Sequence, residues 1–203
     1  MSPPDEHAWV DLGLPSGTLW ATCNVGAEAP EDYGDYFAWG ETEPKDYFAD
    51  WGTYKWSRGR GKMTKYCTDS HYGYDGFVDN KTELDPEDDA AYVNWGPMWR
   101  MPTKEQHDEL RTTCTWTWTT QNGVNGALFS GPNGNTLFLP AAGSRWLTLD
   151  HGGSSVSYWL RTLSPFHDNE AYDMSYDSES LGGSGTCYRN AGLTVRAVRV
   201  SQY

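Results

Sequence analysis

The side chains that could perform catalysis are scattered along this chain and do not fall into recognised spacings. The five histidines never form the HxH or HExxH patterns that hold zinc. Ser154 and Ser155 lie in a glycine-rich stretch without the GxSxG turn that exposes a serine nucleophile. A P-loop and a dinucleotide-binding glycine fingerprint are also missing. We therefore predict no catalytic residue, no metal ligand and no cofactor.

Carboxylates are numerous, and their densest group is the run DPEDD at residues 85–89. Its four acidic side chains could bind calcium, which prefers oxygen ligands. They could equally begin a helix, because Asp85 can cap it, Pro86 suits its first turn and negative charge is favourable at that end. Further on, Asp173 and Asp177 lie four positions apart in a predicted strand, so we expect both on one solvent-wetted face. A glycosidase pair of carboxylates cannot be recognised from sequence spacing.

Aromatic residues make up 15% of the chain, and 11 of them are Trp. Trp and Tyr stack on sugar rings in carbohydrate-binding sites, but they also fill cores, here in a chain without Ile. Core packing is our interpretation for the tryptophans in apolar or alternating contexts, namely Trp20, Trp39, Trp99, Trp116, Trp118 and Trp159.

Two helices and several short strands are predicted to position these side chains. One helix follows Asp85 and ends at Gly96, and the other begins at a capping box of Thr103 and Gln106. Residues 41–84 have no sustained period and are interpreted as long loops held by aromatic side chains. Strands are predicted in CTWTWTTQNGVNGALFS, GPNGNTLFLPAAG, SYWLRTLS, AYDMSYDS and LTVRAVRV (Leu193 to Val200), with turns at the Asn-Gly steps 122–123 and 125–126.

The chain has 203 residues, enough for one full domain, and its formal net charge is -13. Such a charge repels phosphate backbones and anionic lipids, so we expect no nucleic-acid partner and no membrane insertion. No apolar run approaches the roughly 20 residues needed to cross a bilayer. We expect a flexible segment over residues 1–6 and a single domain over residues 7–203.

The four cysteines are far apart and lack CxxC spacing, which argues against a zinc knuckle or a thioredoxin-type site. They could form up to two disulfides or stay free. No export signal opens the chain, so either the protein is not secreted by that route or a leader has been removed.

Seven strings occur in an order typical of one group of proteins. They are WVDLGLPSGTLWATCNVGA, YGDYFAWGET, DPEDDAA, NWGPMWRMPTKEQHDEL, TWTWTTQNGVNG, LFLPAAGSR and YRNAGLTVRAVRV. From Trp9 to Val200 the chain thereby resembles the C-type-lectin-like domains of gut Bacteroidetes known as the Fibrobacter succinogenes major paralogous domain. The resemblance implies an α+β, C-type-lectin-like fold with two helices, short antiparallel strands and long ordered loops.

Some members of that group are the variable proteins of diversity-generating retroelements. A reverse transcriptase copies a template with adenine mutations into the 3′ end of their gene, and an AAY codon mutated at its adenines never encodes Lys, Gln, Glu, Met or Trp. The resemblance thus implies a variable ligand-binding region over residues 144–194. It also implies fixed framework positions at Trp146, Trp159, Glu170, Met174, Glu179, Arg189, Gly192, Val195 and Arg196.

The candidate ligand-binding residues alternate with these framework positions. Leu160 followed by Arg161 in a predicted surface strand is unusual for structure alone and natural for a varied contact. The candidates are Ser144, Leu147, Leu149, His151, Leu160, Arg161, Leu163, Phe166, His167, Asp173, Ser175, Asp177, Tyr188, Asn190, Ala191 and Leu193. An ordinary divergent paralogue, whose loops have drifted, is the alternative explanation of the same residues.

Some motifs of related proteins are missing. The EPN- or QPD-type loop and the WND triplet of calcium-dependent lectins are absent, so we do not expect calcium-mediated sugar binding. Cys187 stands alone in the C-terminal half, where formylglycine-generating enzymes use a cysteine pair for copper. That activity is therefore not expected either.

We expect a non-enzymatic, receptor- or adhesin-like protein that displays a retroelement-diversified surface. Its partner would be a protein or glycan on another cell or a host surface, and it would act extracellularly, at the cell surface or on a phage virion. A mixture of Leu, Phe, Tyr, Arg, His and Asp on a rigid face suits protein recognition. The alternatives are a fixed carbohydrate-binding module with Trp and Tyr platforms and, less favoured, a glycoside hydrolase or an oxidase.

Overall fold

The computed structural model describes residues 7–179 and 182–200, so the segment 1–6 predicted to be flexible lies outside the described residues. The described helices are α1 (Ala90–Trp95) and α2 (Lys104–Thr113), with 3₁₀ turns at Trp51–Thr53, Tyr74–Gly76 and Pro86–Asp88. The described strands are β1 (Trp9–Asp11), β2 (Thr18–Ala21), β3 (Ser57–Arg58), β4 (Lys62–Met63), β5 (Thr115–Gln121), β6 (Val124–Ser130), β7 (Thr136–Pro140), β8 (Ser144–Arg145), β9 (Leu149–Asp150), β10 (Ser155–Leu163), β11 (Glu170–Asp177), β12 (Gly183–Tyr188) and β13 (Val198–Val200).

The described strands form five small sheets, and every strand pair is antiparallel. Three sheets have three strands each, in the orders β1-β2-β13, β5-β6-β7 and β10-β11-β12. The pairs β3-β4 and β8-β9 are two-stranded hairpins. Because β2 lies between β1 and β13, the first and last described strands share one sheet.

The predicted fold class, α+β with a C-type-lectin-like fold, is wrong. The described residues are mostly β, with 35% strand and 13% helix, the latter including the 3₁₀ turns. The two helices hold only 6 and 10 residues, and the strands are divided among small antiparallel sheets. The acidic run before Ala90 contributes to this difference, because it forms a separate 3₁₀ turn and does not lengthen α1.

Helix α2 begins at the predicted capping box. The Thr103 hydroxyl accepts a hydrogen bond from the Gln106 backbone N–H, and the Gln106 side chain accepts one from the Thr103 N–H. Two otherwise unpaired donors of the first turn are thereby satisfied. Leu110 and His107 are buried on the face that meets the sheet β10-β11-β12.

Helix α1 is capped by Asp89, whereas the sequence predicted Asp85. The Asp89 carboxylate accepts hydrogen bonds from the backbone N–H groups of Ala91 at 2.9 Å and Tyr92 at 3.1 Å. Asp89 is fully buried, and burial raises the pKa of its carboxyl. Gly96 ends the helix as predicted, at a φ of 94° that favours glycine.

The hairpin β5-β6 turns at the first of its two Asn-Gly steps. Asn122 and Gly123 adopt φ values of 47° and 85°, which this tight turn requires. The turn predicted at the second step is wrong, because Gly126 lies inside β6. A Cβ on residue 126 would lie 2.3 Å from the carbonyl oxygen of Leu139 in β7, so glycine here permits a close backbone approach.

The predicted C-terminal strand is shorter than expected. Only Val198–Val200 pairs with β2, whereas the preceding residues make isolated bridges, Leu193 with Phe37 and Thr194 with Tyr158. Residues 193–197 are buried without alternation. Because both sides of this segment are covered, the predicted two-faced strand from Leu193 is wrong.

Three clusters of buried side chains form the core. Trp20, Trp39, Trp99 and Trp159 are fully buried, as predicted, while Trp116 and Trp118 are only partly buried at the edge of one cluster. The third cluster joins Phe48, Tyr54 and Met63, with Trp51 and Trp56 packed against it. Aromatic side chains thus hold the long loops of residues 41–84, which confirms that interpretation.

All four cysteines are free thiols, Cys67 and Cys114 buried and Cys23 and Cys187 partly exposed. This decides between the two alternatives that the sequence left for them. Within residues 7–179 and 182–200, no helix is both long and apolar enough to span a membrane.

Candidate ligand-binding surface

The structure divides the predicted contact residues into three groups by exposure. Leu147, Leu149, His151, Phe166, His167 and Tyr188 are exposed. Ser144, Arg161, Ser175 and Asp177 are partly exposed. Leu160, Leu163, Asp173, Asn190, Ala191 and Leu193 are buried. A contact surface on this structure therefore draws on the first two groups only.

The prediction that Leu160 lies on a surface strand is wrong, since its exposure is 0%. β10 is enclosed by β11 along one edge and by Thr194 on the other, whose carbonyl accepts a hydrogen bond from Trp159 N at 3.1 Å. Arg161 is drawn toward Glu83, with 2.6 Å between Nε and Oε2, although the pair lacks the alignment of a hydrogen bond. Both residues are explained by structure.

Four more candidates are turned inward, which corrects their prediction as surface contacts. Leu163, Ala191 and Leu193 pack in one core cluster. The Asn190 side chain donates a hydrogen bond of 2.9 Å to the carbonyl of Phe48. These residues join the C-terminal segment to the core and offer nothing to a ligand.

One face of the sheet β10-β11-β12 is lined by small polar residues. The strand register places Ser157, Ser175 and Gly183 side by side, and side chains of such a row point to the same face. Ser155 and Asp177 form the neighbouring row. A cleft at this end is lined by the second row and the adjoining loops, namely by His151, Ser154, Ser155, Asp177, Ser178 and Glu179. We call Ser155, Ser157, Ser175, Asp177 and Gly183 the serine face.

Asp173 lies next to the serine face but is only 8% exposed, which corrects the prediction that it shares a wet face with Asp177. Burial raises the pKa of its carboxyl to about 7. Its Oδ1 atom has no hydrogen-bond partner among the described residues. It lies under Gly185, where a Cβ would come within 2.8 Å of that oxygen. Asp173 is therefore a buried carboxyl packed against β12 and not a surface contact.

The hairpin β8-β9 presents two leucines to solvent, Leu147 with 68% and Leu149 with 42% exposure. A hydrogen bond of 2.8 Å from the Gly143 N–H to the Ser155 carbonyl fastens the hairpin to β10. Gly143 has a φ of 60°, and a Cβ there would lie 2.1 Å from the Asp150 carbonyl oxygen. Glycine is required for this close approach, so the leucines are carried on a defined backbone.

An aromatic cluster forms where β12 ends. The ring centroid of Tyr188 lies 6.1 Å from that of Trp51 and 6.5 Å from that of Trp146, with interplanar angles of 78° and 80°. Tyr188 is 48% exposed, whereas the two indoles are partly buried. Gly61 backs Trp51 so closely that a Cβ there would lie 3.2 Å from the indole. We call Trp51, Trp146 and Tyr188 the Tyr188 cluster.

The loop between β10 and β11 adds Phe166 and His167 to the surface. Phe166 is 72% exposed, and the His167 ring nitrogen Nδ1 lies 2.6 Å from the Tyr72 hydroxyl, in hydrogen-bond contact. The carboxylate of Asp168 accepts hydrogen bonds from the N–H of Thr68 at 2.6 Å and from its hydroxyl at 2.9 Å. The exposed ring of Phe166 is thus carried on a loop with firm attachments.

Behind Tyr188, the buried Arg189 joins the long loops to the rest of the fold. Its Nη1 donates to the carbonyls of Tyr66 at 3.0 Å and Asp168 at 2.8 Å, and its Nη2 donates to the Lys65 carbonyl at 2.9 Å. Arg189 has 0% exposure, so its guanidinium stabilises the surface loops through buried hydrogen bonds.

Trp51 and Tyr72 were not among the sequence candidates. Both belong to residues 41–84, which we interpreted as long loops held by aromatic side chains, and they lie beside Tyr188 and His167. The signal that could have found them is the aromatic density of that segment. Its pairing with the C-terminal region depends on contacts distant in sequence and could not be derived from spacing.

A Ser-His-Tyr arrangement joins α2 to the sheet β10-β11-β12, with His107 and Tyr176 buried and Ser184 partly exposed. His107 has hydrogen-bond contacts from Nδ1 to the Ser184 hydroxyl at 2.8 Å and from Nε2 to the Tyr176 hydroxyl at 2.6 Å. Burial lowers the pKa of His107 to about 4, so its basicity is poorly matched to proton abstraction at neutral pH. With 0% exposure, His107 fastens α2 to the sheet.

The acidic run after residue 84 is organised around a lysine. Carboxylate oxygens of Asp85, Glu87 and Asp88 lie within 4.8 Å of one another. The Lys65 ammonium lies 2.7 Å from Asp85, 3.8 Å from Glu87 and 2.6 Å from Asp88. The lysine supplies the positive charge that a cation would bring, so we propose no metal here.

No protein-family model, no curated protein and no solved structure matches this chain. The arrangement of its own residues must therefore support any functional proposal. The contact of Trp146 with Tyr188 joins the segment of the hairpin β8-β9 to the Tyr188 cluster, and the Phe166 loop precedes Glu170, which pairs with Tyr188. The serine face lies at the other end of the sheet β10-β11-β12.

Proposed function

We propose that this chain is a non-enzymatic binding protein whose contact surface is built from the exposed candidate residues. The observation that supports it most is the exposure of Leu147 at 68%, Phe166 at 72% and Tyr188 at 48% on well-attached backbone. Exposed apolar side chains that are grouped in space are typical of interaction sites. Rigid attachment also lowers the entropy lost when a partner binds.

We further propose that the partner is a protein or glycan on another cell or a host surface, met outside the cell or on a virion. The mixture of apolar, aromatic and polar side chains supports this, since aromatic anchors supply binding energy while small polar residues adapt. The partly exposed Ser144 and Ser175 supply such small polar residues.

A binding experiment tests the contact surface directly. The labelled chain is titrated against a panel of bacterial cells and a glycan array. The variant with Leu147→Ser, Phe166→Ser and Tyr188→Ser is compared with a control carrying Trp9→Ser, Phe77→Ser and Val93→Ser, which are also exposed apolar residues. We expect the first variant alone to lose binding by about tenfold or more. Equal loss in both variants, or none in either, contradicts the proposal.

We also propose that a retroelement diversifies this surface, on the strength of the seven sequence strings. Sequencing the 3′ end of the gene and its flanks across many cells tests this. We expect a near-copy that differs only at adenines, with variation in codons of exposed residues such as Leu147 and Phe166. Buried residues such as Leu160 and Ala191 should stay constant. A single invariant 3′ end without a near-copy contradicts diversification and leaves a fixed binding protein.

A fixed carbohydrate-binding module is the second candidate. The Tyr188 cluster favours it, because exposed aromatic rings can stack on sugars. Glycan-array binding that depends on Tyr188 but not on Leu147 or Phe166 would support this function over protein recognition.

A further inference from the structure

The protein's own cations occupy many of its aromatic ring faces. The Lys55 ammonium lies 4.2 Å from the ring centroid of Trp56, and the Arg100 guanidinium lies 4.0 Å from that of Tyr92. These distances are within the roughly 6 Å at which a cation is attracted to a ring face. Several aromatic ring faces in this chain therefore already have a cation-π partner within the protein.

The Tyr188 cluster differs, because within the described residues no Lys or Arg lies over any of its three rings. The nearby cations are engaged elsewhere. Arg145 lies over the Tyr36 ring, and Arg189 is buried against Trp39. The cluster thus has aromatic faces that no described cation of the chain occupies.

The geometry of the cluster suits a small cation. The rings of Trp51 and Trp146 each stand nearly perpendicular to Tyr188, at 78° and 80°. Both pairs are edge-to-face contacts, so a corner between two ring faces lies beside each contact. A cation in such a corner lies within about 6 Å of both centroids. Tyr188 forms the solvent-exposed member of both corners.

A carboxylate adds negative charge beside this corner. Glu170 in β11 pairs directly with Tyr188 in β12, which places both side chains on the same face of the sheet. Glu170 Oε2 accepts a hydrogen bond of 2.8 Å from the Thr186 hydroxyl, and no ion pair of Glu170 is formed within the described residues. The chain's net charge of -13 also favours the approach of a cationic group.

We propose that the Tyr188 cluster, with Glu170, is a subsite for an organic ammonium group of the ligand. This rests on the proposed binding function and deepens it by assigning the chemistry of one contact. The ring faces attract the charge and exclude water, while Glu170 contributes a longer-range attraction. No covalent step is involved.

The test uses tetramethylammonium as the probe and 3,3-dimethyl-1-butanol, whose tert-butyl group has the same shape without charge, as its neutral match. Each is titrated with the full chain at constant ionic strength while its methyl proton resonance is followed by NMR. Ring currents shift a methyl group upfield when it lies over an aromatic face. We expect a saturable upfield shift for the ammonium and about fivefold to thirtyfold weaker binding of the alcohol.

Variants assign the shift to the cluster. Tyr188→Leu keeps an apolar side chain but removes the ring, and we expect it to abolish the saturable shift. Glu170→Gln should weaken binding severalfold because it removes only the charge. Trp9→Leu is the matched control, since Trp9 has the same 48% exposure as Tyr188 but lies in β1, and it should leave binding unchanged.

Each alternative outcome contradicts the subsite. Equal binding of the alcohol would show an apolar site without charge preference. A shift that survives Tyr188→Leu would place the cation elsewhere, and no saturable shift would show that the corner binds no ammonium. These results leave the cell-binding experiment unaffected, because that experiment also depends on Leu147 and Phe166. If the contact-surface variant and its control bind cells equally, while the ammonium shift of the parent chain persists, the proposed binding function is contradicted and the ammonium subsite is not.

Discussion

Arg189 and Tyr54, 135 residues apart in sequence, are joined by a hydrogen bond of 2.9 Å from the guanidinium Nε to the tyrosine hydroxyl. Both side chains are buried, and Tyr54 in turn donates a hydrogen bond of 2.7 Å to the Trp39 carbonyl. The connection links the long loops of residues 41–84 to the segment that carries Tyr188. The candidate surface therefore depends on a buried polar network as much as on apolar packing.

We expect Arg189→Lys to destabilise the fold by about 3 kcal/mol or more, because one ammonium cannot replace donors directed at four acceptors. Urea unfolding followed by tryptophan fluorescence measures the change. Arg60→Lys is the control, since Arg60 is exposed, and should alter stability by less than about 0.5 kcal/mol. Equal stability of the two variants would show that the network is dispensable.

Leu160 and Phe166 should respond in opposite ways to truncation. Leu160→Ala removes a fully buried side chain and should cost about 2–5 kcal/mol. Phe166→Ala removes a ring that is 72% exposed and should cost about 0.5 kcal/mol or less. Thermal unfolding of the two variants checks this, and a costly Phe166→Ala would mean that its ring supports the fold.

The buried His107 should make the protein less stable in acid. Its pKa falls from 6.5 to about 4 on folding, so between these values the unfolded chain binds a proton that the folded chain excludes. Stability from this group is fully present above pH 6.5 and decreases toward pH 4, by about 3 kcal/mol at most. The stability difference between the parent and His107→Gln should therefore shrink over this range in urea unfolding. A constant difference would contradict the assignment.

Asp173 should have the opposite pH dependence. Its pKa rises from 3.8 to about 7 on folding, so the folded chain retains a proton that the unfolded chain has released. The parent then loses stability as the pH rises from about 4 to 7, by about 4 kcal/mol at most. Asp173→Asn should gain stability relative to the parent over that range. Ser175→Asn, on the partly exposed neighbouring position, should show no such trend.

Local signals predicted many elements of this fold. The capping box at Thr103, the helix end at Gly96 and the turn at Asn122 depend on neighbours along the chain, and all three were found. The turn predicted at residues 125–126 is wrong because Gly126 lies within β6 and closely approaches β7, a contact that neighbours along the chain do not reveal. The fold class failed for a similar reason, since the division into five sheets depends on long-range pairing.

The exposure of the candidate contact residues was only partly predictable from the sequence. Exposed positions such as Leu147 and Tyr188 lie in hairpins and strand ends, where polar turns mark the sequence. Leu160 and Asp173 lie in alternating strands, but Leu160 packs with Leu110 of α2 and Phe129 of β6, and Asp173 is only 8% exposed on the opposite face. Alternation reveals two faces of a strand and cannot reveal whether one or both are covered.

The sheet β1-β2-β13 sets the spacing of the first and last described strands. Trp9 pairs with Ala21 at one end of β2, and Val200 pairs with Thr18 at the other. These points are separated by roughly 10 Å across the sheet and roughly 10 Å along it. A linker of about five residues bridges that span. We therefore expect circular permutation to be tolerated. The described unit could also be inserted into a surface loop of a larger protein, because its first and last described strands lie close together.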